Sequence, residues 1–152
     1  MGGDLDTPYR GGLVGGIHRF ALRVYFEDTD TAGIVYYANY LRFMERARSD
    51  MLRCVGIDQR AVMERGEGVY AVADLAIKYL GSARLDDDLV VVSALKQVRA
   101  AAVVIQQRVM RAGEILTDAT VTAAFVTGTG RAKRQPREWV ETFKALVTEG
   151  DE

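Results

Sequence analysis

The chain has one cysteine, Cys54, and one histidine, His18, among its 152 residues. A lone cysteine excludes an internal disulfide and a cysteine-based zinc site. Cys54 sits inside a helical pattern and reads as a small apolar side chain. A lone histidine gives a histidine-based metal site no second ligand. His18, at the start of the first strand, reads as a strand-end or surface residue. Neither sign of charge dominates: the formal net charge is −1, which gives no global attraction to nucleic acid or an anionic membrane. Also missing are an apolar run long enough to span a bilayer and the basic-then-apolar opening of a signal peptide. A cytoplasmic protein without stable membrane insertion is expected.

What is present is a globular balance, 49% apolar and 27% charged, enough for one domain with a real core. Residues 1–16 hold six glycines and a proline and read as a flexible leader. One domain is expected over 17–147, followed by a tail at 148–152. From His18 the pattern has period two. Phe20, Leu22, Val24 and Phe26 face one way, with Arg19, Arg23 and Tyr25 opposite, which predicts a half-buried strand ending at Glu27-Asp28. Leu41, Met44, Arg48, Met51, Leu52 and Val55 recur at helical spacing, so a long helix is expected over about 39–55. Asn39 is its expected N-cap and Gly56 its stop. A short second helix follows at about 58–65. Then Val69–Leu80, Leu89–Val98, Ala101–Arg111 and Glu114–Thr127 are β-rich runs joined by tight polar turns, which means antiparallel pairing. A basic loop and a short amphipathic helix after Pro136 close the chain. The fold class is therefore α+β: a five-stranded antiparallel sheet wrapped around one long helix. Several strand runs are apolar on both faces, which points to a homo-oligomer.

The stretch EDTDTAGIVYYANY, residues 27–40, concentrates the chemistry. Glu27, Asp28 and Asp30 end the first strand just before a helix starts. Solvated turn chemistry accounts for such residues on composition alone. A divalent-metal site would use the acids, but the calcium-loop spacing is absent. An aspartyl phosphotransferase uses a D-x-D loop, but on a parallel sheet that this order of elements does not supply. The remaining reading joins Asp30 to the helix start. Unpaired N–H groups and the positive dipole end lie there. A carboxylate with backbone donors is the minimum for acyl transfer: the carboxylate attacks or activates water, and the amides hold the oxyanion.

The segment RVYFEDTDTAGIVYYANYLRFMERARSDMLRCVGI resembles the opening of the hotdog-fold acyl-CoA thioesterases. It is most similar to the YbgC-like (Tol-Pal-associated) branch, with 4-hydroxybenzoyl-CoA thioesterases as near relatives. The resemblance spans roughly residues 20–140 and includes IKYLGSARLDDDL and GRAKRQP. It implies a hotdog fold, hydrolysis of a small or medium acyl-CoA, no cofactor and no metal. It also implies a homotetramer with sites at subunit contacts, and an acyl carrier protein as an alternative acyl donor. Asp30 matches the catalytic aspartate, as nucleophile or general base, which leaves Asp28 a structural role. Gly33 permits the turn beneath the substrate. Tyr37 falls where relatives present a backbone N–H to the thioester oxygen. Many YbgC-like members have histidine there, so a histidine-assisted mechanism is not expected. Glu45 reads as an ion-pair partner of an arginine. Arg99, Arg131 and Lys133, with Arg134 beside them, match regions that hold CoA phosphates. Ala100–Ala102 stand where relatives often carry Ser or Thr. A binding-only module on this fold is the alternative function. A dehydratase would need a histidine beside an acid, and His18 is badly placed for that.

Overall fold

The computed structural model describes residues 3–147; the expected tail at 148–152 lies outside the described residues. Alternating apolar runs make six strands: β1 (Gly12–Val14), β2 (Ile17–Arg23), β3 (Val69–Tyr79), β4 (Asp88–Val98), β5 (Ala102–Arg111) and β6 (Glu114–Val126). They form one antiparallel sheet in the order β1-β2-β4-β5-β6-β3. The helices are α1 (Asn39–Cys54), α2 (Gln59–Glu64) and α3 (Arg137–Leu146). The architecture is the expected one of a long helix held by an antiparallel sheet, with one strand more than the five expected. The extra strand, β1, comes from the glycine-rich leader. Val14 pairs with Ile17 across Gly15-Gly16, and both glycines have positive φ, 61° and 83°. That is the two-residue hairpin turn that glycine makes readily.

The first long strand ends sooner than alternation predicts. Asp28 Oδ2 accepts from the Tyr25 N–H at 2.8 Å, so a side chain takes the amide a ladder would use. Residues Phe26–Asp28 instead form a 3₁₀ turn, and Phe26 is 81% exposed.

Helix α1 buries Tyr40, Phe43, Met44, Ala47 and Met51 against the sheet. Two apolar clusters result. One joins the first half of α1 to Val24, Leu89, Val91, Val109 and Val121. The other joins its end to Leu95, Val103, Ile105 and Phe143 of α3. Between them lies a hydrogen-bonded polar belt. Gln107 donates to the Met44 carbonyl and to Ser93 Oγ, and accepts from Arg48. Each amide atom of this fully buried glutamine therefore has a partner. At Gly56, φ is 84°, and α1 stops as expected. Asp58 caps α2 by accepting from Ala61 N. Among the described residues the edge strand β3 is paired only with β6, and most of its residues are exposed.

Candidate active site

Between β2 and α1 the chain makes a short hairpin that carries Asp30. The Asp30 N–H donates to the Ile34 carbonyl at 2.9 Å, and Gly33 N donates back to the Asp30 carbonyl at 3.0 Å. Gly33 has φ 82°, so the turn requires glycine or strain. Asp30 is exposed. Its Oδ1 accepts from Ala32 N at 2.8 Å, and from Ile34 N at 3.4 Å. Oδ2 makes no hydrogen bond to the described residues. Asp28 is only 8% exposed and holds the loop. Its carbonyl accepts from Tyr36 N and from Asn39 Nδ2. Asn39 is thus not the N-cap; Ala38 occupies that position without a side-chain bond. The Asn39 amide instead ties the helix start to the acid loop.

The tyrosines divide by burial. Tyr40 is 2% exposed, and its hydroxyl accepts from Ala83 N at 2.9 Å. Tyr36 and Tyr37 are exposed, with ring centroids 5.0 Å apart. Tyr37 also meets the Tyr79 ring at 5.9 Å. The Tyr79 hydroxyl donates to the Tyr37 carbonyl at 3.1 Å. The N–H groups of Tyr37 and Ala38 make no hydrogen bond to the described residues, so two donors remain open at the start of α1.

A separate cavity of about 90 Å³ lies along the second half of α1, lined by Glu45, Arg48, Ser49, Tyr70, Val72, Ile105 and Phe143, among others. Glu45 does not form the expected ion pair. It accepts from Ser49 Oγ at 2.7 Å and lines the cavity. Arg48, its neighbour one turn on, is instead bonded to Gln107 at 2.8 Å. Burial draws the Arg48 pKa down, and the charge of Glu45 opposes that shift. The cavity meets β3 at Tyr70–Val72, whereas Tyr37 meets β3 at Tyr79. At about 3.3 Å per residue, Val72 and Tyr79 are about 23 Å apart along the strand. One chain therefore holds its carboxylate and its cavity at opposite ends of an edge strand.

The basic residues gather at the cavity end. The loop after β6 folds back, with Val126 bridged to Ala132 and Gln135 N donating to the Ala100 carbonyl. Gln135 Nε2 also donates to the Arg99 carbonyl at 2.8 Å. Arg131 and Arg134 are exposed. Lys133 Nζ donates to the Glu67 carbonyl. The structure thus brings Arg99, Arg131, Lys133 and Arg134 to one region, and Asp30, Gly33 and Tyr37 to another.

Sequence reading missed one buried cluster. His18 is fully buried rather than a surface residue, and its Nε2 lies 2.7 Å from Asp50 Oδ2. The same oxygen accepts from Gly11 N at 3.0 Å, with Cys54 Sγ at 3.6 Å. Burial, with Asp50 close by, pushes the Cys54 thiol up. The three ligand atoms lie within 4.8 Å of one another. Metal on Nε2 would move the ring proton to Nδ1, which has no acceptor, whereas metal-bound histidines almost always give that proton to one. The cluster fits a carboxylate seated by three donors better than a metal centre. The i,i+4 spacing of Asp50 and Cys54 was visible; that β2 would set His18 against it was not.

Comparison with known proteins identifies the family. Residues 24–145 match the Thioesterase-like superfamily. Acyl-CoA thioesterase YbgC of Haemophilus influenzae is 43% identical over 107 residues, covering 70% of this chain and 79% of that protein. Acyl-CoA thioester hydrolase YbgC of Escherichia coli O157:H7 is 35% identical over 130 residues, covering 84% and 96%. A probable thioesterase from Bartonella henselae superposes with TM-score 0.76 at 30% identity, covering 79% of this chain and 99% of that one. A 4-hydroxybenzoyl-CoA thioesterase variant complexed with 4-hydroxybenzoyl-CoA shares the fold, with TM-score 0.75 at 24% identity, covering 87% and 99%.

Proposed function

The chain belongs to the Thioesterase-like superfamily and is an acyl-CoA thioester hydrolase; we propose that Asp30 is its catalytic carboxylate. The observation that carries this is the free Oδ2 of Asp30 in the loop that also exposes the Tyr37 and Ala38 N–H groups. The thioester oxygen accepts from the Tyr37 N–H. Asp30 Oδ2 then attacks the carbonyl carbon, or removes a proton from a water that does. Negative charge collects on the oxygen, where the amides and the positive end of α1 stabilise it. The C–S bond breaks, the sulfur leaves as CoA thiolate, and water supplies the proton and hydroxyl that complete acid and thiol. The side chain at position 37 does not enter, so tyrosine in place of histidine leaves this route open.

The site is completed by a second copy. A two-fold axis near Ala76 would pair β3 with β3 of the partner subunit, and would place Asp74 opposite Lys78 of the partner subunit. These are the strand's only charges. The long, mostly apolar edge needs such a cover. This pairing brings the Asp30 loop of one subunit to the cavity and basic region of the other. The acyl group enters the cavity beside Val72 and Ile105, and the CoA phosphates meet Arg99, Arg131 and Arg134, with Lys133 at the rim. Two such dimers meeting through partly buried outer-face residues, Val92 and Val104 among them, make the tetramer. The chain contains no helix, among the described residues, long and apolar enough to cross a membrane; the proposed setting is cytoplasmic, where acyl-CoA substrates are made and used. Acyl carrier protein is the alternative carrier of the acyl group.

The test is turnover of an acyl-CoA panel by wild type and Asp30→Asn. Loss of kcat by a factor of about 10² or more, with acyl-CoA still bound, supports the assignment. Equal kcat contradicts it, and binding without turnover in wild type across the panel would favour the binding-only module.

A further inference from the structure

We propose that Tyr79 is a positioning residue for the oxyanion donors: its hydroxyl holds the Tyr37 carbonyl and so polarises the Ala38 N–H of the same peptide and fixes it beside the Tyr37 N–H. The inference rests on the reading of the Tyr37 and Ala38 N–H groups as the donors that hold the thioester oxygen. Two peptide groups flank the Cα of Tyr37. The one before it has the Tyr36 carbonyl, which accepts from Asn39 N at 2.8 Å, and its N–H is the Tyr37 donor. The one after it has the Tyr37 carbonyl, which accepts from Tyr79 Oη at 3.1 Å, and its N–H is that of Ala38. With both carbonyls engaged, neither peptide plane is free to turn. An amide whose oxygen accepts a hydrogen bond is also a better donor at its nitrogen. The first carbonyl is held by the helix itself. The second is held, among the described residues, only by a side chain from the far end of the edge strand.

The Tyr79 ring is fixed for the task. It packs edge-on against Tyr37 and Tyr40, at centroid distances of 5.9 and 5.8 Å. Tyr40 cannot substitute, because its hydroxyl is buried against Ala83 N. Tyr79 is 42% exposed, so water can replace its hydrogen bond at little cost to folding. A water would not hold the peptide plane in one orientation. The hydroxyl therefore contributes little to stability, and its loss is felt in the transition state. Its place at the end of β3 also links the donors to the edge on which a second copy pairs.

Tyr79→Phe keeps the ring and removes the hydroxyl. The expected result is a kcat lower by about tenfold, the factor one neutral hydrogen bond is worth. KM, the Kd for CoA and Tm should stay at their wild-type values. A second readout follows the substrate carbonyl. Benzoyl-CoA bound to Asp30→Asn should show a thioester C=O stretch below that of free benzoyl-CoA, and adding Tyr79→Phe should return it toward the free value. An unchanged kcat, a Tm that falls with kcat, or a carbonyl stretch that does not move would each overturn the proposal. Failure of the underlying reading is distinguishable, because it appears as a carbonyl stretch already at the free value in Asp30→Asn, whatever stands at position 79.

Discussion

Tyr40→Phe removes one oxygen from the core and should be felt both in stability and at the site. The Tyr40 hydroxyl is the acceptor for the Ala83 N–H at 2.9 Å, and Ala83 is 0% exposed. Burial pushes the phenol pKa up, as a dry environment requires. Phenylalanine leaves the Ala83 donor buried without a partner, a loss of about 1–3 kcal/mol. At about 2–4 °C per kcal/mol for a domain of this size, a central value of about 2 kcal/mol lowers Tm by about 4–8 °C. The same segment supports the Asp30 loop: Val35 N donates to the Ala83 carbonyl at 2.9 Å, and Ile34 bridges to Arg84. Activity should therefore fall at temperatures well below the melt. Thermal melts by circular dichroism, with urea midpoints at unchanged m-value, measure the first effect. A Tm within about 1 °C of wild type would mean that water reaches Ala83, and the reasoning from burial would fail.

Gly11→Ala should unseat β1, because an added Cβ would lie 2.3 Å from the Arg19 carbonyl oxygen and 2.8 Å from Asp50 Oδ2. Hydrogen exchange at Val14, which faces Ile17 as the closing pair of the hairpin, should quicken, while Gly12→Ala, with nothing within 4 Å of its Cβ, serves as the control; equal exchange in both variants would contradict the docking. Asp87 gives an acid-limb prediction. The Arg84 backbone N–H and the Arg111 guanidinium hold its carboxyl below the ordinary 3.8, so the fold favours its charged form. That contribution is complete above the unfolded pKa and is lost as pH falls through the lower, folded value. Urea midpoints of wild type should thus drop below about pH 4 more steeply than those of Asp87→Asn, and parallel curves would remove Asp87 from the account.

The long elements were legible because each has a clean period. Helix α1 and the four long strands β3–β6 appear within a few residues of where spacing puts them. The errors cluster where side chains compete with backbone. Asp28 takes the Tyr25 amide and stops β2 early, and Asn39 spends its amide on the Asp28 carbonyl instead of capping α1. Six glycines in the leader signalled freedom, yet Gly15-Gly16 is a hairpin turn and Gly11 is a point of close approach. The acid loop was legible as a turn before a helix start, with Gly33 at its positive-φ position. Its separation from the cavity was not, since it depends on which strand lies at the sheet edge and where Tyr37 and Tyr70 fall along it. The burial of His18 was hidden for the same reason: only the pairing of β2 beside β4 turns it toward Asp50.

The central claim is that one subunit's Asp30 acts on an acyl group held by the other, and mixing two inactive variants tests it directly. Asp30→Asn lacks the carboxylate, and Ser49→Trp fills the mouth of the cavity. Each should hydrolyse no acyl-CoA alone. Dissociated and reassembled together, half of the dimers pair one of each, and each mixed dimer regains one intact site. Activity should return to about one quarter of wild type. No recovery, with mixed dimers shown to form, would place the whole site within one chain and contradict the account.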